Sequence, residues 1–124
     1  MWIAEQWQDY ELLDCNGCTA CTMGMSMGKN TGCSLADKDD KQKIMDVMLE
    51  QDAVIFSAPT YDLMPSSLFL KFMHRNLAYE SAFLTKIGAI APRDRVGALI
   101  AVGGSTRSWQ SMALECMQAT TFTN

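Results

Sequence analysis

Three cysteines at two-residue gaps, Cys15-Asn-Gly-Cys18-Thr-Ala-Cys21, are followed after eleven intervening residues by Cys33, and this cluster constrains the chain more than any other feature. Four of the five cysteines fall within nineteen consecutive positions, which points to one site. Two-residue gaps let three thiolates turn toward one small object, and cubane iron–sulfur clusters use this spacing with a fourth thiolate from further along. Structural zinc also takes four thiolates, but usually as two separated pairs. The hook therefore favours a [4Fe–4S] cluster on Cys15, Cys18, Cys21 and Cys33, with zinc, or reactive or idle thiols, as the alternatives. Met23, Met25 and Met27 alternate within the same Gly-, Thr- and Met-rich stretch, 15–34, which shows no helical period and reads as a loop. Thioethers bind soft Cu(I), although flexible Met side chains more often pack against a partner or a flat ligand.

The compartment decides what such cysteines mean. The first residues, Met1-Trp2-Ile3-Ala4-Glu5-Gln6-Trp7, carry no basic segment and no sustained apolar stretch of the secretory kind. No apolar run approaches the roughly 20 residues of a membrane helix. A cytoplasmic protein is expected, where thiols serve as ligands or redox groups rather than disulfides. A net charge of −4 argues against an electrostatic grip on nucleic acid. With 124 residues, 48% apolar and 19% charged, the chain is expected to form one globular domain.

The pattern along the chain predicts α/β architecture. Asp37 to Gln51 reads as a helix with Asp37 at its N-cap, Asp39 and Asp40 in its first turn and Ile44, Val47 and Met48 on one face. The alternating charges from Asp37 to Lys43 read as its solvated start. Ala53 to Ala58 is a continuous apolar run that suits a parallel strand covered on both faces. Ser66 to Asn76 predicts a second helix, capped by Ser66 or Ser67, with Leu68, Phe69, Phe72 and Met73 inward. Val96 to Val102 is a second buried strand. Thr106 to Thr120 carries Trp109, Met112, Ala113 and Cys116 at helical spacing, with Cys116 read as a small buried hydrophobe. Trp2 to Leu13 reads as extended, and 78–94 as a partly ordered link. Strand, helix, strand, helix with short links means a parallel sheet.

Open α/β sheets bind ligands in the crevice beyond the carboxyl ends of their strands. The segment Ser57-Ala58-Pro59-Thr60-Tyr61-Asp62-Leu63-Met64-Pro65 lies there, as does Val102-Gly103-Gly104-Ser105 at the end of the second strand. A flat aromatic ligand would suit the place. Tyr61 and Met64 offer apolar contact, and the amides of Thr60, Gly103 and Gly104 offer donors to a polar ring edge. The alternative is a rigid strand-to-helix turn with a proline at each end.

These residues together resemble a known family. The cysteine hook, Gly32-Cys33, the acidic pair Asp39-Asp40 before a helix, Asp52 through Tyr61, and Leu70-Lys71-Phe72-Met73-His74-Arg75 are similar to the iron–sulfur flavoproteins. Those belong to the wider group of NAD(P)H-dependent FMN reductases with a flavodoxin-like fold. The resemblance runs from about Tyr10 to about Met117. It implies that Cys15, Cys18, Cys21 and Cys33 hold the cluster. It implies that Pro59, Thr60 and Tyr61, with Asp62, Leu63 and Met64 completing the loop, lie against the isoalloxazine ring of FMN, and that Gly103 and Gly104 turn beside it. It further implies a homo-oligomer or larger redox complex, a donor such as NAD(P)H or reduced ferredoxin, and coupling of two-electron to one-electron carriers. Three features depart from the family. The gap from Cys21 to Cys33 is longer than usual. His74 stands where an acid is common, and reads as structural. The first strand with its phosphate loop and the last strand are expected to lie outside this chain, making it a partial flavodoxin-like domain (1–124) with helices on both faces. A subunit that completes its sheet with a partner chain, or a zinc-stabilised interaction module, are the functions from other classes. No residue stands out as a general acid or base.

Overall fold

The β-branched and aromatic content of Ala53-Val54-Ile55-Phe56 suits a pleated surface, and in the computed structural model it opens strand β1, Ala53–Tyr61. The structure describes residues 6–79, 84, 86–88, 94–104 and 109–121. Strand β3, Val96–Val102, runs parallel to β1 in a register from Ala53 opposite Val96 to Pro59 opposite Val102. At its far end β1 turns back through Asp62 and Leu63 into the short antiparallel β2, Met64–Pro65, so the strand order is β2-β1-β3. The expected α/β class, an open and mostly parallel sheet of incomplete flavodoxin-like layout, is what forms.

Burial along the strands departs from expectation. In β1 the side chains alternate, Phe56 and Ala58 buried and Ile55, Ser57, Pro59 and Tyr61 exposed. In β3 Leu99 and Ala101 turn toward the core, while Val96, Ile100 and Val102 are 72%, 48% and 56% exposed. Continuous apolarity predicts cover on both faces, yet among the described residues the core packs on one face of these strands. The opposite face shows hydrocarbon to solvent.

Three helices build the covered side. Helix α2, Lys41–Glu50, buries Ile44 and Met45. It starts four residues later than the expected Asp37, because Asp39 and Asp40 are engaged with the segment 11–13 instead of capping a first turn. Helix α3, Ser67–Met73, begins as expected: the Ser66 hydroxyl accepts the Phe69 N–H at 3.5 Å. Phe69, Phe72 and Met73 face inward. A single 3-10 turn follows at Asn76–Ala78. Helix α4, Gln110–Thr121, buries Ala113 and Met117. Trp109 and Met112, expected on its inner face, are instead 60% and 42% exposed, and Cys116 is half-buried. The reading of 2–13 as extended is interrupted by a 3-10 turn at Trp7–Asp9. Residues 2–5, 106–108 and most of the 78–94 link lie outside the described residues.

Aromatic packing centres the core. Trp7 stacks on Phe72 with ring centroids 4.4 Å apart and meets Phe56 edge-on at 5.7 Å. Burying a ring such as Phe72 stabilises the fold by roughly 2–3 kcal/mol. Lys41, read from sequence as part of a solvated helix start, is fully buried. Its Nζ donates to Phe72 O and, at 2.6 Å, to Asn76 Oδ1. It also lies 4.4 Å and 5.1 Å from the ring centroids of Phe72 and Tyr79. Hydrogen bonds and ring faces thus replace the water its ammonium loses.

Candidate functional site

The cysteine segment is more ordered than its composition suggests. Ala20–Ser26 forms helix α1, entered through Thr19 in the left-handed region at φ 59°. Gly24 is buried because the returning segment 29–31 lies against it. A Cβ there would stand 2.3 Å from Thr31 Oγ1 and 2.9 Å from Lys29 O. Lys29 N–H donates to Gly24 O at 2.8 Å, and Thr31 Oγ1 donates to Ala20 O at 2.9 Å. The expectation of a loop without helix fails here because Ala-Cys-Thr-Met-Gly-Met-Ser has neither charge nor an apolar stripe. The helix also separates the thioethers. Met23 and Met27, one turn apart, share an exposed face, and Met25, two positions from each, turns away from them.

All five cysteines are free. Cys15 and Cys18 are exposed; Cys21 and Cys33 are half-buried. Cys18 Sγ lies 2.9 Å from Ser34 Oγ. That hydrogen bond, with the Ala20 N–H, holds the Cys18 thiol below its ordinary pKa. Cys15 N–H donates to Asp14 Oδ1 at 2.8 Å, and the same oxygen lies 3.0 Å from His74 Nδ1. The His74 contact, followed by the Cys15 amide, keeps the Asp14 carboxyl below the usual range. Among the described residues no three Cys, His, Asp or Glu side chains stand close enough to hold a metal ion. The convergence expected from the spacing is therefore not formed in this conformation: Cys18 is held at Ser34 and Cys33 at Arg75. The donor set itself, four free thiols on one segment, suits an iron–sulfur core in number and softness.

A buried ion pair anchors both flanks of this segment. Arg75, 3% exposed, follows α3 and pairs with Asp39. Its Nη1 donates to Leu13 O at 3.2 Å, its Nη2 to Asp39 Oδ1 and Tyr79 Oη at 3.2 Å each, and its Nε to Cys33 Sγ at 3.3 Å. Asp39 also accepts the Leu13 N–H at 2.9 Å and the Lys41 N–H at 3.3 Å. Its neighbour Asp40 accepts the Glu11 N–H at 3.0 Å and donates its own N–H to Glu11 O at 2.9 Å. The acidic pair thus pins the backbone that leads into the hook. Burial pushes the Asp39 carboxyl up, but hydrogen bonds from Arg75 and Leu13 outweigh it and leave it below the usual range. Burial likewise works against the Arg75 charge, and Asp39 and Cys33 outweigh it. Sequence reasoning missed this network because its partners lie far apart along the chain.

At the strand ends the parallel register carries Gly103 and Gly104 on from Val102, which faces Pro59. Tyr61, Leu63 and Met64 are 66%, 37% and 41% exposed. With exposed Val102 and Trp109 they put an aromatic-rich apolar surface at the carboxyl end of the sheet. Asp62 and Leu63 both take positive φ, 47° and 72°, the geometry of a tight hairpin turn that usually calls for Asn-Gly. Thr60 Oγ1 is buried with no hydrogen-bond partner, on the side of β1 that carries Phe56 and Ala58 rather than Tyr61. Gly104 is exposed, with open space where a side chain would stand. The residues expected at a flat ligand are thus together at one end of β1 and β3. Trp109, exposed with φ 52°, stands one position ahead of α4.

No helix among the described residues is long and apolar enough to cross a membrane. No family profile matches the chain, and no solved structure matches it. A stretch of 54 residues is 41% identical to a protein of Archaeoglobus fulgidus named "Iron-sulfur flavoprotein". That stretch covers 44% of this chain and 22% of the relative, so the chain matches about a fifth of that protein's length.

Proposed function

We propose that this chain is a cytoplasmic electron-transfer protein. Cys15, Cys18, Cys21 and Cys33 hold a [4Fe–4S] cluster, and FMN lies against Pro59, Thr60, Tyr61, Asp62, Leu63, Met64, Gly103 and Gly104. The observation that carries the reading is the set of four free thiols on one pinned segment. The local identity to a protein named an iron–sulfur flavoprotein supports it. Binding itself brings the sulfurs together, as in sites that form with their metal. The exposed Tyr61, Leu63 and Met64 suit a flat ring. When bound, the flavin handles one or two electrons and the cluster one, with NAD(P)H or reduced ferredoxin as donor. An anaerobic preparation assayed for iron, sulfide and flavin tests the reading. Bound zinc with iron near zero overturns it in favour of a zinc-stabilised module.

The open sheet edges favour a second reading, in which a partner chain completes the sheet. Among the described residues no strand pairs with the outer edge of β3, and the β2 side of β1 is paired only at Thr60 and Tyr61. Such edges invite strand addition. Size exclusion with native mass spectrometry tests it: a well-folded, flavin-binding homo-oligomer counts against a separate partner.

A further inference from the structure

We infer that strand β3 pairs antiparallel with β3 of a second copy of this chain, about a two-fold axis at Leu99. The inference rests on the partner-strand reading above, names that partner, and draws nothing from the cluster or the flavin. Val96 N–H donates to Asp52 O at 3.0 Å, so the backbone groups of Val96 face β1. The register is unbroken from Val96 to Val102. Ala98, Ile100 and Val102 therefore turn their N–H and C=O groups toward β1 as well, and those of Gly97, Leu99 and Ala101 point outward. No described strand lies beyond β3 to receive them. The edge also lacks the usual guards against pairing: Val-Gly-Ala-Leu-Ile-Ala-Val carries no charge, no proline and no bulge.

The strand is nearly its own reverse, and this selects the partner. Turned about Leu99, Val96 meets Val102, Gly97 meets Ala101, and small Ala98 stands opposite large Ile100. Leu99 meets its twin. Each outward-pointing residue then faces another, so the Gly97–Ala101 and Leu99–Leu99 pairs exchange N–H···O=C bonds in both directions. Side-chain parity is kept as well. The exposed Val96, Ala98, Ile100 and Val102 of both copies share one open face, and the inward Leu99 and Ala101 share the other. The flanking Asp94 and Arg95 fall opposite Gly104 and Gly103, so no like charges face each other. The pair uses up both β3 edges, and growth there stops at two copies. One strand pair is a small interface, so the dimer dissociates reversibly on dilution.

Sedimentation velocity across a range of concentrations, native mass spectrometry and amide hydrogen exchange test this on the full chain. The expected result is a monomer–dimer equilibrium in which the Gly97, Leu99 and Ala101 amides become protected as dimer forms. The Ala98, Ile100 and Val102 amides, bonded to β1, are protected in both states. Ala98→Lys with Ile100→Lys sets lysines directly opposite across the axis and should weaken the dimer by at least about tenfold. Ala98→Lys with Ile100→Glu sets lysine against glutamate and should restore it. Both positions are exposed, so neither variant disturbs the core of the monomer. A dimer indifferent to the lysines, or not restored by the Lys–Glu pairing, overturns this strand pairing alone. A complex with an unrelated chain that protects the same three amides overturns the second copy as partner and keeps the partner-strand reading. A monomer at every concentration overturns the self-pairing. Protection of the three amides in that monomer overturns the partner-strand reading too, since the chain then covers its own edge.

Discussion

Asp14 and His74, sixty residues apart, meet with Oδ1 and Nδ1 at 3.0 Å and tie the residue before the hook to the end of α3. Both side chains are about half exposed, at 54% and 49%. The pair is therefore expected to contribute little to global stability, on the order of 0.5 kcal/mol. Its effect is local, because the same carboxylate holds the Cys15 amide. His74→Ala should leave the urea midpoint almost unchanged while speeding hydrogen exchange at the Cys15 N–H. A large loss of global stability would show that the pair does more than steady the hook.

The Arg75–Asp39 pair should behave in the opposite way. Removing one member leaves a buried charge without its partner, so Arg75→Met is expected to cost about 3–5 kcal/mol in urea denaturation. Replacing both, Arg75→Met with Asp39→Leu, should cost less than Arg75→Met alone, since no bare charge is left. A double-variant cost equal to the sum of the single costs of Arg75→Met and Asp39→Leu would mean that the pair is not coupled.

The same carboxylate gives the fold an acid limit. Asp39 sits below the usual range in the folded state, so its contribution is present above the unfolded carboxylate pKa of about 3.9. That contribution is lost as pH falls through the lower folded value. Stability measured from pH 6 downward should therefore drop in strong acid for the wild type, and Asp39→Asn should show a flatter profile. Identical profiles would remove Asp39 from the account.

Under the proposed flavin site, the turn at Asp62 and Leu63 sets stability against binding. Two non-glycine residues at positive φ are strained by roughly 1–2 kcal/mol each. Asp62→Asn with Leu63→Gly supplies the residues such a turn prefers and should raise the melting temperature by several degrees. It also removes an exposed apolar contact beside Tyr61, so flavin affinity should fall. Higher stability with unchanged flavin affinity would place the ring elsewhere.

Gly24 is the fixed point of α1. Gly24→Ala puts a methyl group against Thr31 and Lys29 O and should destabilise the loop by about 1–3 kcal/mol. Adding Thr31→Ala relieves the side-chain clash but not the carbonyl, so rescue should be partial. Limited proteolysis within residues 22–32 reads both effects.

Local rules made much of this fold legible. Strand β3 has the bounds that its apolar run and following glycines indicate, and Ser66 caps α3 as its position before Leu68 and Phe69 suggests. What local rules could not reveal is where a charge goes when its partner is distant. Lys41 and Asp39 looked like members of a solvated helix start; one is buried among Phe72, Tyr79 and Asn76, the other against Arg75. Arg75 likewise gave no sign that it would join Leu13, Cys33 and Asp39. The strand-end residues were legible because parallel topology fixes where strand ends lie. The strain in the Asp62–Leu63 turn was hidden, since neither residue advertises a positive φ.

The row formed by Ile55, Val96, Ile100 and Val102 stays in contact with water after folding. Hydration of that row then scarcely changes when the chain melts, so it adds little to the heat absorbed per degree. Scanning calorimetry should give a heat-capacity increment below the roughly 12–15 cal/mol/K per residue of fully covered domains. A rise toward that range on adding a binding partner would reveal that the wet row had been sealed.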